Sequence, residues 1–234
     1  MRYATLALIV LFAGAFVWIC CGGVFSSLAL YSAVRAGDES RVKELAQLGV
    51  NLDTQYFFSG ESPLLIALEM EDREVYHVLL EEGANPNRIL RRGRTVMHES
   101  AGMPDAWWLQ EAIDHGGNVD LVNEGSSLFR DQTPINSAIN GQSAACLELL
   151  INEKADLNRE NGSGHSPLMR AICVSRYDFA LTLLEAGADY ERQGVLERSF
   201  VDEVRIRHDG MALSDEQKVH RAKVKKWLAD RKAL

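Results

Sequence analysis

The chain has little cysteine, little proline and no long block of like charge, and each shortage narrows what it can be. Its cysteines are Cys20, Cys21, Cys146 and Cys173. The first two lie in an apolar leader and the others in helical patterns, where a buried thiol acts as a small hydrophobe. No disulfide framework exists, so packing must hold the fold. Lys and Arg number 25 against 33 Asp and Glu, for a net charge of −8, and beyond one short arginine turn the only basic stretch is 218–232. Nucleic acid is therefore not an expected partner, because phosphates call for a basic patch. No glycine-rich phosphate loop is present; "GSGH" at 162–165 lacks the preceding strand and the Lys-Ser/Thr pair. The histidines His77, His98, His115, His165, His208 and His220 include no His-x-x-x-His or other metal pair at ligand spacing. Acidic clusters such as Glu69–Glu71–Asp72 look like solvated helix surface, and no Ser/His/Asp set stands apart from the rest. The chain reads as a non-enzyme, with no cofactor, no metal and no small-molecule substrate.

What is present begins with a leader. From Tyr3 to Phe25 the sequence carries no charge, and the next charge after Arg2 is Arg35. About 20 apolar residues suffice to cross a bilayer core. Residues 1–26 therefore read as an uncleaved anchor, a cleaved signal peptide, a lipidated leader ending at the Cys20–Cys21 pair, or a buried helix. Ile19 is bulky where a small residue normally precedes a lipidated cysteine. A retained anchor would attach the chain to a membrane through residues 3–25.

The remainder is periodic. Starts of Ser/Thr followed by Pro or its stand-in occur at Ser62–Pro63, Thr95–Val96, Thr133–Pro134 and Ser166–Pro167, with steps of 33, 38 and 33 residues. Twenty positions beyond each second residue stand Gly83, Gly116, Lys154 and Gly187, each followed by Ala or Gly. The Ser and Thr residues suit helix caps, and a proline just inside a helix loses no needed N–H. "LLIALEM", "INSAIN" and "LMRAIC" then read as short first helices. Second helices carry Val75–Leu79–Leu80, Cys146–Leu149–Leu150 and Phe179–Leu183–Leu184 at helical spacing. The glycines suit left-handed helix ends, and Asn87, Asp120 and Asn158 open the turns that follow. An apolar face that one helix pair cannot bury must stack on its neighbours.

This pattern resembles the ankyrin repeat. The resemblance implies an all-α ankyrin-repeat solenoid of about five repeats over 27–190: 27–58, 59–91, 92–129, 130–162 and 163–190. The amino-terminal unit contributes a Val42–Leu45–Leu48 stripe and the Gly49 exit. Residues 191–234 form a C-terminal helical cap, with a helix of 215–232 opened by Ser214 and Gln217 and burying Val219, Val224, Trp227 and Leu228. Val195 to Val204 adds a short helix. The third unit is degenerate and places Trp108 and Ala112 in the core. In this family the position of His98 is a packing and hydrogen-bonding one.

Such arrays bind proteins through a concave face of first helices and hairpin tips. Two tips carry residues that a solvated turn would not want: Tyr56, Phe57 and Phe58, and the expansion with Phe129 and Arg130. The turn "RILRRGR" supplies Arg88, Arg91 and Arg92 as a positive patch, and Trp107 lies one step round from the core. These are the expected contacts of a protein partner. The architecture also resembles bacterial envelope ankyrin proteins. That likeness implies an inner-membrane protein with a periplasmic carboxy-terminal domain, or a periplasmic one after signal cleavage. It offers two partner classes, an envelope enzyme or complex and a secreted toxic effector such as a lipase that an immunity protein neutralises.

Overall fold

The computed structural model describes residues 26–56, 59–90, 93, 95–123, 131–192, 199–206 and 213–233. The leader 1–25 lies outside the described residues. Among those described, no helix is long and apolar enough to cross a membrane. The chain divides after Asn85 into two compact units. The first holds α1 (residues 26–36), α2 (Glu39–Gln47), α3 (Pro63–Glu69) and α4 (Arg73–Glu81). The second holds α5 (Val96–Ala101), α6 (Trp107–Asp114), α7 (Pro134–Asn140), α8 (Ala144–Asn152), α9 (Pro167–Cys173) and α10 (Tyr177–Glu185), then α11 (Phe200–Ile206) and α12 (Asp215–Asp230). The described residues form no β-strand element.

The helix starts follow from short polar side chains. Ser62, Thr95 and Ser166 each accept the N–H three residues on, and Pro63, Pro134 and Pro167 open their helices. Asp38, Asp72 and Ser143 cap the second helices in the same way. Each such cap is worth about 1 kcal/mol. Arg176 takes the cap position of α10 without capping it through its side chain. Its guanidinium instead reaches Asp178, with Nε donating at 2.8 Å, and lies 3.5 Å over the Phe179 ring. Burial alone would raise the Asp178 carboxyl, but Arg176 outweighs it and holds it below the usual range.

The helix ends need left-handed backbone. At the second-helix exits Gly49, Gly83, Gly116 and Gly187 have φ of 78, 93, 86 and 95°, while Lys154 adopts φ 64°. At each exit two N–H groups turn back onto the helix, as in Gly83 to the Leu80 carbonyl and Ala84 to the Leu79 carbonyl. Lys154 makes the same pair of bonds to Ile151 and, through Ala155, to Leu150. It does so with a Cβ that this region disfavours by roughly 1–2 kcal/mol.

In the second unit α5 packs on α7, α7 on α9, and α9 on α10. Met97, Leu109, Ile135, Ile139, Leu147, Leu150, Leu168, Ile172, Leu183 and Leu184 belong to one buried cluster. Trp108 and Ala112 are buried, as the degenerate third unit required. α12 lies against α10 and α11 against α9, so the last two helices extend the stack although they carry no repeat sequence. The Ser214–Gln217 capping box forms, and Val224 and Leu228 are buried while Trp227 is half-buried against Tyr190.

Two residues expected in the core are not there. Val219 is 54% exposed, because five residues of helix turn it about 140° away from Val224. Leu48 is 70% exposed at the C-cap of α2. It precedes its exit glycine as Glu82, His115, Glu153 and Ala186 precede the other exit residues. That position is exposed at Glu153 and Ala186 and half-buried at Glu82 and His115, so it is not a core position in any repeat, and a leucine there does not make it one.

Candidate protein-binding surface

Consecutive repeats are joined at their tips by a ladder of Asn and Asp. In the first unit the Asn85 N–H donates to Asp53 Oδ1 at 2.9 Å. In the second, Asn118 N–H donates to Asn87 Oδ1 (2.7 Å), Asp156 N–H to Asp120 Oδ1 (2.8 Å) and Asp189 N–H to Asn158 Oδ1 (2.8 Å). Asn87 returns a bond from Nδ2 to the Gly116 carbonyl at 2.8 Å. Residues such as Asn118 and Asp156 meanwhile accept the N–H two positions on, which shapes each tip locally. The second Asn or Asp of each tip therefore holds the neighbouring repeat, so that the tips are fixed at defined spacings.

His98 serves the same end inside the second unit. Its Nε2 donates to the Gln132 carbonyl at 2.8 Å, which leaves Nδ1 to accept from the Thr95 hydroxyl at 2.6 Å. Desolvation by burial lowers its pKa below the usual 6.5 against the opposing pull of the Gln132 carbonyl and Glu99. A neutral ring fits both bonds. Cys146 Sγ contacts the Ser100 and Met103 carbonyls, and burial raises its thiol pKa, so it is an inert packing residue.

One polar row crosses the first-helix face of the second unit. Gln132 Oε1 accepts from Asn140 Nδ2 at 3.4 Å, and Asn140 Oδ1 accepts from Arg170 Nε at 2.6 Å. Gln132 is buried, while Asn140 and Arg170 are half-buried. Among the described residues no carboxylate pairs with Arg170, whose guanidinium is held through Nε. A guanidinium fixed through Nε loses less freedom when it grips a carboxylate in two-point fashion. Sequence reasoning missed this row. Its signal was a charged residue inside the otherwise apolar "LMRAIC".

Of the expected contact residues, Tyr56 lies in the first unit and Arg88 and Trp107 in the second. Tyr56 is half-buried, stacked on Tyr31 with ring centroids 3.8 Å apart and planes 4° from parallel. Its N–H donates to the Glu61 carbonyl at 2.8 Å and its carbonyl accepts from Gly60. Together with Leu28, Leu30, Thr54, Pro63 and Ile66 the two tyrosines line a cavity of about 460 Å³ within the first unit. Arg88 is exposed on a tip, and Trp107 is half-buried with its ring edge-on to Trp108. Phe57, Phe58, Arg91, Arg92, Phe129 and Arg130 lie outside the described residues. Among those described, no group of three or more His, Cys, Asp or Glu is placed to hold a metal ion.

Known proteins share this build. Residues 97–194 match the family model described as ankyrin repeats, in 3 copies. The nuclear factor NF-kappa-B p105 subunit of Gallus gallus is 33% identical over 137 residues, 56% of this chain and 13% of that protein. The neurogenic locus notch homolog protein 1 of Homo sapiens is 29% identical over 152 residues, 65% of this chain and 6% of that one. The chain thus spans a small part of either relative. The crystal structure of the ankyrin repeat domain of Bcl-3 superposes with a TM-score of 0.66 at 24% identity, covering 74% of this chain and 77% of that one. The family matched is a repeat family, not a catalytic one.

Proposed function

We propose that this ankyrin-repeat chain is a non-enzymatic protein-binding module of the cell envelope, held at the membrane by residues 3–25. Ankyrin repeats generally serve as protein–protein interaction modules, and stacked repeats of this kind offer extended binding faces. The observation that carries the reading here is the Gln132–Asn140–Arg170 row. It holds a guanidinium ready on the first-helix face, at half-burial, where an acidic side chain of a protein partner would be desolvated on binding. Arg88, exposed on a tip of the same unit, adds a second cation.

The partner is an envelope protein with an acidic contact residue. A secreted toxin or hydrolase would make this chain an immunity protein acting by the same grip, which is the alternative that its architecture suggests. The test is affinity capture from native membranes with the full-length chain, using wild type and Arg170→Glu side by side. A protein retained by the wild type and lost on charge reversal, with the helical signal of the variant intact, supports the reading. Equal retention by both would move the contact away from the first-helix face.

A further inference from the structure

We propose that the face of α12 turned away from α10, which carries Lys223 and Lys226 beside Val219 and Ala222, rests on an anionic phospholipid surface. This builds on the membrane attachment through residues 3–25 proposed above and adds a second contact to it. The charge of α12 sets it apart from its neighbours. α6, α8 and α10 are the second helices of their repeats and contain no Lys or Arg, while Asp114, Glu148 and Glu185 are exposed on them. Between Glu216 and Asp230, by contrast, α12 has Lys218, Arg221, Lys223, Lys225 and Lys226 and no acidic residue. Folding does not call for this. Val224 and Leu228 are buried on the opposite face and seal the stack. Glutamate forms helix as readily as lysine. The last turn, where cations would offset the helix dipole, has no basic residue.

The arrangement on the helix suits a diffuse negative surface. Residues three and four apart share a helix face, so Val219, Ala222, Lys223 and Lys226 form one patch about 10 Å long. All four are exposed, and Glu216 and Asp230 mark the two ends of the patch. Lys218 pairs with Asp215 at 2.9 Å and Arg221 reaches the Val204 carbonyl, but among the described residues no carboxylate pairs with Lys223 or Lys226. A lysine ammonium is a hydrated point charge on a flexible stem, without the planar fork of arginine. It therefore suits a field of headgroups better than one fixed carboxylate. Clusters of cations on a helix are drawn to anionic lipid, each one near the surface adding roughly fivefold to binding. Lysine stems lie along apolar surface while their heads reach outward, and Val219 and Ala222 supply that surface. α12 packs on α10 and ends the row of second helices, so a plane meeting that end touches the lysines before the acidic helices behind them. Attachment through 3–25 keeps the plane close, and a weak second contact is then enough.

The experiment incorporates the full-length wild-type chain into vesicles of phosphatidylcholine, alone or with about 30% phosphatidylglycerol as the anionic lipid. A membrane-impermeant reagent acetylates exposed amines briefly, and modified lysines are quantified by mass spectrometry. Lys154, exposed in the same unit at the exit of α8, is the internal reference. Phosphatidylglycerol should lower acetylation of Lys223 and Lys226 relative to Lys154 at least about threefold, and about 1 M salt, where the Debye length is about 3 Å, should restore it. A ratio that phosphatidylglycerol leaves unchanged would overturn the contact. Protection by polyglutamate added to phosphatidylcholine vesicles, with none from phosphatidylglycerol, would also overturn it and reassign the face to an acidic protein. Flotation reads the attachment separately. A chain that floats with both vesicle types but keeps its lysine ratio refutes the α12 contact alone. One that floats only with phosphatidylglycerol, with Lys223 and Lys226 protected, supports that contact and refutes the attachment. One that floats with neither refutes both.

Discussion

Gly141→Ala tests the stacking of the second unit most sharply. Gly141 caps α7 with φ −74° and Gly102 caps α5 with φ −81°, so both have helical backbone that alanine adopts freely. A Cβ on Gly141 would stand 2.2 Å from the Gly102 carbonyl oxygen and 2.7 and 2.8 Å from its Cα and carbonyl carbon. Those atoms are backbone and cannot swing aside. Restoring ordinary contact requires α5 and α7 to part by on the order of 1 Å, a gap that forfeits a quarter to a half of each contact it opens. Met97, Ala101, Ile135, Ala138 and Ile139 all belong to the core between and around these helices. The cost lies at the upper end of overpacking, about 3 kcal/mol, or roughly 6–12 °C in Tm for a chain of this size. The matched control is Gly102→Ala. Its Cβ would meet nothing closer than 3.5 Å, the Glu99 carbonyl oxygen, so it should be neutral or stabilise by up to about 1 kcal/mol. Thermal and urea unfolding of the full-length chain in detergent, followed by far-ultraviolet circular dichroism, measures both variants. Parent-like unfolding of Gly141→Ala, or equal damage from the two variants, would refute the reasoning.

Further tests address the exits, the ladder and the buried histidine. Lys154→Gly should raise stability by about 0.5–1 kcal/mol by removing a Cβ from left-handed backbone, whereas Gly187→Val should lower it by roughly 1–2 kcal/mol although nothing lies within 4 Å of the new Cβ. Urea midpoints of the two variants should therefore move in opposite directions. Asp120→Ala leaves the Asp156 N–H without its partner and should cost about 1 kcal/mol, with protection of that amide from hydrogen exchange falling at the same time. His98 has a folded pKa below its unfolded value of 6.5, so below about 6.5 the unfolded chain binds the extra proton and stability falls as pH drops. His98→Asn should flatten that part of a stability–pH profile measured from pH 7.5 to 5, and an unchanged slope would assign the dependence to other groups.

The local features of the repeats were legible because neighbours in the chain decide them. A serine or threonine before a proline caps a helix wherever it stands, and an exit that turns left-handed favours glycine whatever packs nearby. Apolar residues at helical spacing likewise mark the buried face of each second helix. The same logic misplaced Leu48 and Val219, since spacing alone does not say which turn of a helix meets a neighbour. His98 was readable only through the family resemblance. Of the expected contact residues that are described, Tyr56 is stacked on a ring 25 positions earlier that no pattern linked to it.

From its sequence alone the chain determined its repeat period, its helix starts and exits and the uncharged stretch before them, because caps, turns and apolar faces act over a few residues. Tertiary structure decided which side chains meet across repeats. Asp120 looked like the opening of its own turn, yet its carboxylate holds an N–H 36 residues away. Gly141 had no exit or turn to explain it until Gly102 was found against its Cα hydrogens. Arg170 was one charge in an apolar helix until Asn140, 30 residues earlier, fixed its guanidinium. Such contacts depend on how closely and at what angle neighbouring hairpins settle, and that distance follows from the whole buried face and not from any short stretch of chain.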